Sequence, residues 1–268
     1  MKDQGIWHVW AAATAGRSHR AGRKPCQDFC CCQVMRRNGK RFAVGVVADG
    51  AGSAKRGRLG AKLACESLLT SCKRLIADNP RLADIGRGQV TAAFQGAREA
   101  IAHHARRQPM RDYATTAAVA ILGPEGSLFA QIGDSVIVTG GQLAYAPVFW
   151  PQNGEFVNTT NFLTDGNFDD HLEFEARRPA AAEVALFSDG LSPIAMDFRR
   201  RSAHTPFFSP LFVQLRSAVR RRTPRPIVER ELRGFLRSEA VENRVDDDRS
   251  LVLICAQSRG NHDGSLLG

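Results

Sequence analysis

The sequence predicts an α+β domain in which a central antiparallel β assembly is covered by helices on the outside. Three observations lead there. Strand-like apolar runs come before, between and after two pairs of amphipathic stretches, without the one-for-one alternation that a doubly wound parallel sheet requires. No internal repeat and no low-complexity linker divides the 268 residues, a length that one large domain accommodates. The composition, 43% hydrophobic and 24% charged, is that of an ordinary globular protein, neither disordered nor disulfide-dense.

Along the chain, the opening MKDQGIWHVWAAATAGRSHR has a short apolar patch, but Asp3 and His8 interrupt it and no export-type apolar core follows. It is predicted as a first strand, and the protein as cytoplasmic. A second strand is predicted over Arg41–Ala48. Two amphipathic helices follow, over Gly57–Ala77 (with Leu59, Leu63, Leu68, Cys72 and Leu75 on one face) and Arg87–Arg106 (with Val90, Phe94, Ala97 and Ile101). Asn79-Pro80 is the stop between them. Runs rich in Val, Ile, Phe and Ala predict strands at Ala114–Leu122, Ser127–Ile132, Ser135–Thr139 and Val184–Phe187. A second helix pair is expected over Ser209–Arg222 and Pro226–Ser238, and a last strand over Ser250–Ala256. Residues 1–257 read as one domain, and the polar tail 258–268 as frayed. The longest apolar runs, Phe42–Ala48 and Ala117–Leu122, fall far short of the roughly 20 residues that cross a bilayer, so no membrane partner is expected.

Charge and cysteine usage narrow the function classes. The chain carries 37 Lys and Arg against 27 Asp and Glu, a formal net charge of +10. Between Phe198 and Arg244 there are twelve Arg, no Lys and four Glu, a local balance of +8. Such a block suggests a polyanion, yet it falls on stretches of helical period and lacks aromatic interleaving, so a solvated face is expected and a nucleic-acid partner is not. Of seven cysteines, four cluster at Cys26, Cys30, Cys31 and Cys32. The second Cys pair that a zinc site needs is missing, so reduced thiols acting as small apolar residues are expected.

The informative feature is a set of aspartates at the ends of apolar strands: Asp28 in PCQDF, Asp49 in VGVVADGAGS, Asp134 in AQIGDSVIV, Asp189 in VALFSDGLS and Asp247-Asp248 in VDDDRSLVLI. One such Asp is usually a turn former. Several, delivered by strands to the edge of a low-dielectric core, are costly unless something positive meets them. Clustered carboxylates are what hard divalent cations require. Competing motifs fail. Gly50-Ala51-Gly52-Ser53-Ala54-Lys55 matches neither dinucleotide nor P-loop spacing, and Asp165–Asp170 lacks the Gly and Glu of a calcium loop. His103-His104 is placed on an exposed helix.

The ordered set Gly16-Arg-Ser-His19, Gln27-Asp28, Asp49-Gly50-Ala51-Gly52-Ser53, Ala114-Thr115-Thr116, Gly133-Asp134-Ser135, Ser188-Asp189-Gly190 and Asp247-Asp248 resembles the metal-dependent protein phosphatases of the type 2C class. It is closest to a bacterial branch with Gln-Asp for Glu-Asp and an Asn-Thr-Thr-x-Phe-Leu-Thr segment, here Asn158–Thr164. The match runs from about Ile6 to Ala256. The resemblance implies two stacked antiparallel sheets flanked by helix pairs, an α-β-β-α sandwich. It implies an enzyme that removes phosphate from Ser and Thr of a phosphorylated protein, without a covalent phosphoenzyme. Asp49 would bridge two Mn²⁺ or Mg²⁺ ions, with the Gly50 carbonyl as a ligand. Asp189 and Asp247 would complete one shell, Asp28 would act mostly through bound water, and Asp134 would help hold a weaker third ion. Asp247 is chosen because the ligand is the first of the pair in this class; Asp246 and Asp248 are the alternatives. Two such ions about 3.5–4 Å apart generate hydroxide from a shared water near neutral pH.

Arg23 stands five residues before Asp28, the spacing of the phosphate-binding arginine, with Arg17 and His19 as alternatives. Ala51 stands where many relatives carry a proton-donating His, and Gln27 removes a charge near the metal. These two departures support a rival reading, a pseudophosphatase that binds phosphoproteins. The resemblance further suggests a monomer and a Ser/Thr kinase as the partner whose phosphorylation is reversed.

Overall fold

The computed structural model describes residues 6–141, 144–152 and 160–257. In chain order the first half contains β1 (Trp7–Thr14), α1 (Arg17–Ala21), β2 (Phe29–Arg37), β3 (Lys40–Ala48), α2 (Gly57–Asp78), α3 (Arg87–Ala105), β4 (Ala117–Gly123), β5 (Gly126–Ile132) and β6 (Val136–Gly140). The second half contains β7 (Tyr145–Pro147), α4 (Phe168–His171), β8 (Glu173–Arg177), β9 (Glu183–Phe187), α5 (Ser192–Ala195), β10 (Met196–Asp197), β11 (Ser202–Ala203), α6 (Thr205–Arg220), α7 (Arg225–Leu236), α8 (Glu239–Glu242) and β12 (Arg249–Ala256). The expected tail 258–268 lies outside the described residues, as do Asn158 and Thr159.

Two antiparallel five-stranded sheets, ordered β1-β12-β9-β6-β7 and β2-β3-β4-β5-β8, stack face to face. The central strands bury both faces, which is why they read as unbroken apolar runs. In β3, Phe42, Val44, Val46 and Ala48 face α2 and α3, while Ala43 and Val47 face the other sheet. In β12, Leu251, Leu253 and Cys255 face α6 and α7, while Val252 and Ile254 point between the sheets. Gly45 lets the layers close: a Cβ there would stand 2.8 Å from Val252 Cγ1. The four-layer arrangement follows.

The differences from expectation have local causes. The buried stripe of α2 is Gly60, Ala61, Ala64, Cys65, Leu68, Cys72 and Ile76, with Leu59, Leu63 and Leu75 only partly buried. Small residues win the face because α2 presses on the 110–113 turn, where a Cβ on Gly60 would meet the Tyr113 carbonyl oxygen at 2.1 Å. The strand expected from Ala114 begins at Ala117, and Thr115 still bridges Gly50 in continuation of the β3–β4 register. Helix α6 starts at Thr205 and runs through Pro210, its buried Phe208, Leu211 and Phe212 outweighing the lost backbone hydrogen bond. β8 went unread because an edge strand spelled EFEAR, half-buried except for exposed Ala176, carries no run of apolar residues. All seven cysteines are free thiols. Most arginines of the 198–244 block are exposed; Arg216 instead pairs with buried Glu183.

Candidate active site

Antiparallel pairing brings the dispersed motifs to one end of the sandwich. Register sets Thr14 opposite Arg249, Phe187 opposite Leu251, Val47 opposite Ala118 and Ala117 opposite Ile132. The residues just beyond these pairs are therefore neighbours. They line a cleft of about 240 Å³ that gathers Asp49, Gly50, Asp134, Asp189 and Asp247, with His19, Gln27 and Thr116. Asp28 lies beneath it, buried at 3% exposure, and accepts a hydrogen bond from Ser188 Oγ, which ties the two sheets together.

Each backbone element in the cleft is fixed by a partner. The Asp49 carbonyl accepts from Thr115 Oγ1 (2.8 Å) and Thr116 N (2.9 Å), and the Asp49 N–H donates to Thr116 Oγ1 (3.1 Å). Gly133 takes a left-handed φ of +95° to turn β5 into Asp134, where any side chain would be strained. Thr160 Oγ1 then donates to Asp134 Oδ2 (2.7 Å). The three consecutive aspartates divide their work. Asp246 accepts from Ser18 N (3.0 Å), and buried Asp248 accepts from Gly16 N (2.7 Å), Gln27 N and His19 Nδ1 (2.9 Å). Asp247 and Asp248 both line the cleft, but the Asp248 oxygens are committed to those three donors, whereas Asp247 accepts only from Asp248 N (2.8 Å) among the described residues.

The electrostatics are one-sided. No Lys or Arg is among the described residues lining the cleft, and His19 is the one basic side chain there. Burial pushes the Asp49 carboxyl well above the usual range, and the charges of Asp28, Asp189 and Asp134 push it further. Asp28 is raised by burial, partly offset by the Ser188 hydroxyl. Asp134 is pushed up to about 6 by burial and by Asp189, and Asp247 is raised by burial and its acidic neighbours. Four carboxyls raised together in one cleft are a site that lacks positive charge. Among the described residues no three His, Cys, Asp or Glu are drawn together into a ready metal cluster; the carboxylates are spread along the cleft. That donor set suits hard divalent cations that keep several waters. Asp28 Oδ1, buried and without a partner among the described residues, fits a role in holding such water.

The sequence-predicted residues Asp28, Asp49, Gly50, Asp134, Asp189 and Asp247 are thus brought together. Arg23 is not. It is exposed, on a left-handed turn (φ +53°) after α1, and does not line the cleft. Arg17 is also exposed, 3.8 Å from Asp246. The anchoring roles of Asp248, Thr116 and Ser188 carried no signal in the sequence beyond their place beside the aspartates.

A phosphate-handling, metal-dependent hydrolase is the class that this fold and cleft define. A sequence profile described as Protein phosphatase 2C matches residues 15–237, and the chain belongs to that family. Serine/threonine-protein phosphatase 3 of Escherichia coli (strain K12) is 34% identical over 250 residues, covering 92% of this chain and 97% of that protein. Stp1, a serine/threonine phosphatase from Staphylococcus aureus, shares the fold with a TM-score of 0.63 at 15% identity, covering 97% of this chain and 98% of that one. The catalytic domain of the phosphatase PstP, solved with two manganese ions, also gives 0.63 at 18% identity, covering 95% of this chain and 100% of its own. The chain is a metal-dependent serine/threonine protein phosphatase.

Proposed function

We propose that the chain hydrolyses phosphoserine and phosphothreonine monoesters in proteins with two divalent cations, Mn²⁺ or Mg²⁺, held by Asp49, Asp189, Asp247 and the Gly50 carbonyl. Asp28 serves through bound water, and Asp134 is the place for a weaker third ion. The observation that carries this reading is the meeting of Asp49, Asp134, Asp189 and Asp247 at one cleft with no Lys or Arg to balance them. When bound, the ions supply positive charge for the phosphoryl oxygens and lower the pKa of a shared water.

The chain's own groups do the rest. Thr115 and Thr116 lock the Asp49 backbone, so its carboxylate needs no reorganisation. Asp248 holds His19 by Nδ1, which leaves Nε2 as the ring nitrogen for a phosphoryl or leaving-group oxygen. We assign the phosphate contact to His19 in preference to Arg23, because His19 is on the cleft wall. The substrate is a protein phosphorylated by a Ser/Thr kinase, met by a monomer in the cytoplasm. Among the described residues no helix is long and apolar enough to cross a membrane.

Phosphate release from a phosphothreonine peptide and from p-nitrophenyl phosphate, with Mn²⁺ and with EDTA, tests the assignment. Release that EDTA does not stop would overturn the two-ion assignment, and no release with Mn²⁺ would return the chain to the phosphoprotein-binding reading.

A further inference from the structure

On one side of the sandwich both sheets end in an edge strand, β1 in one and β2 in the other. An edge strand presents unpaired N–H and C=O groups that template another strand. Gln257 N–H donates to the Ile6 carbonyl (2.7 Å), so Ile6 and every second residue after it face β12. Trp7, Val9 and Ala11 therefore turn their backbone groups outward. At Ala11 the edge is closed, since its N–H donates to Glu229 Oε1 of α7 (3.2 Å). Toward Trp7 none of the described residues closes it, and there a groove of about 690 Å³ runs along β1, against about 240 Å³ for the cleft at the other end of the strand. At about 3.3 Å per residue the two are roughly 20 Å apart.

The groove is basic as well as apolar. Trp7, Val9 and Val34 form its floor, and Arg41, Arg222 and Arg225 its rim. The Trp7 indole N–H is buried without a partner among the described residues. Arg41 sits directly opposite Arg36 in the β2–β3 pairing, a destabilising placement of like charges. Among the described residues neither Arg36, Arg41 nor Arg222 forms an ion pair, while Arg225 is shared with Glu229 (2.7 Å). Arg222 and Arg225 come from the arginine-rich block that the catalytic cleft leaves unused.

We propose that this groove docks an acidic segment of a partner protein, which adds to β1 as an extended strand. Its backbone pairs with the outward groups of Trp7 and Val9, and its carboxylates meet Arg41, Arg222 and Arg225. A second copy of this chain is a poor occupant, because β1-to-β1 pairing would set one basic rim against another. Single-stranded nucleic acid satisfies the charge but lacks the alternating donors and acceptors that a strand edge pairs with.

The test uses a fluorescent octapeptide of alternating Glu and Val, followed by anisotropy with the full chain in EDTA, so the outcome is separate from the metal-site reading. Binding is expected to weaken at least tenfold in Arg41→Glu and in Arg222→Glu and to be absent for the Lys-Val counterpart. Val9→Pro removes an outward N–H while leaving the β12 pairing intact, and is expected to abolish binding. Mn²⁺-dependent hydrolysis of p-nitrophenyl phosphate should be unchanged in all three variants. Should Val9→Pro not fold, the peptide N-methylated at alternate residues blocks the same ladder and is expected not to bind. Undiminished binding of the methylated peptide overturns strand addition. No acidic-peptide binding, or tighter binding of a single-stranded oligonucleotide, overturns the choice of partner. A gain of affinity on removing residues 258–268 would make the chain's own tail the occupant instead.

Discussion

At the residue scale, the three consecutive aspartates are the sharpest case of sequence neighbours with different work. Asp247 is expected to behave as a metal ligand: Asp247→Asn should lower Mn²⁺ affinity and turnover by more than the about 10–100-fold that loss of a supporting contact costs, with little change in Tm. Asp248→Asn keeps one acceptor oxygen and turns the other into an NH2 donor, so either the Gly16 N–H, held by Oδ1, or the Gln27 N–H and His19 Nδ1, held by Oδ2, lose their acceptor. Its cost should appear as stability, about 1.5–3 kcal/mol, or roughly 3–12 °C in Tm. If Asp248→Asn instead loses metal with Tm intact, the ligand assignment is off by one position. Asp49→Asn should abolish Mn²⁺-dependent turnover while the fold survives. For the phosphate contact, His19→Ala should cost about one to two decades in kcat/KM, whereas Arg23→Ala should change it by less than about twofold. The reverse ranking, measured at saturating Mn²⁺, would give the role to Arg23.

At the element scale, the position of α2 governs the cleft. Its Gly60 lies against the Tyr113 backbone, and Tyr113 precedes the Thr115-Thr116 pair that locks Asp49. Backbone cannot yield as a flexible side chain can, so Gly60→Ala must push α2 away from the sheet. The expected cost is about 1–3 kcal/mol or more, read from chemical denaturation, together with a fall in kcat. A stable, fully active Gly60→Ala protein would mean that helix position and cleft geometry are independent. The sequence made the length and the pairing of α2 and α3 legible, because a 3.6-residue apolar period survives in both. It read the buried face of α2 in part: Leu68 and Cys72 are buried as expected and Leu59, Leu63 and Leu75 pack against the core half-buried, but Gly60, Ala61 and Ala64, which supply the close approach, went unread.

At the scale of the whole molecule, gathering acidic groups at one end has a pH signature. The folded-state value of Asp134, about 6, lies above its ordinary 3.8, and Asp28 and Asp49 are shifted the same way by burial. The folded protein therefore holds these protons more tightly than the unfolded chain does. Their contribution is fully present below about pH 4 and is lost as pH rises through about 6 and above. Metal-free protein should lose Tm over that window, and Asp134→Asn should lose less. Saturating Mn²⁺ should raise Tm more at pH 7.5 than at pH 5, because protons compete with the ion for the same oxygens. Scanning calorimetry with EDTA and with Mn²⁺ decides it, and a Mn²⁺ increment independent of pH would count against carboxylate ligation.

The sequence by itself determined the α+β class, the two helix pairs and the aspartates that meet at the cleft. Those features are written in local apolar period and in Asp placed at strand ends, which need no knowledge of distant neighbours. The tertiary structure decided that Asp248 is committed to Gly16, Gln27 and His19 while Asp247 stays available to the cleft, that His19 stands on its wall and Arg23 outside it, and that among the described residues β1 leaves a basic edge uncovered. Each depends on antiparallel register between strands more than 200 residues apart, such as Thr14 with Arg249. Spacing along the chain carries no information about which side of a strand, or which atom of a carboxylate, such a pairing leaves unused.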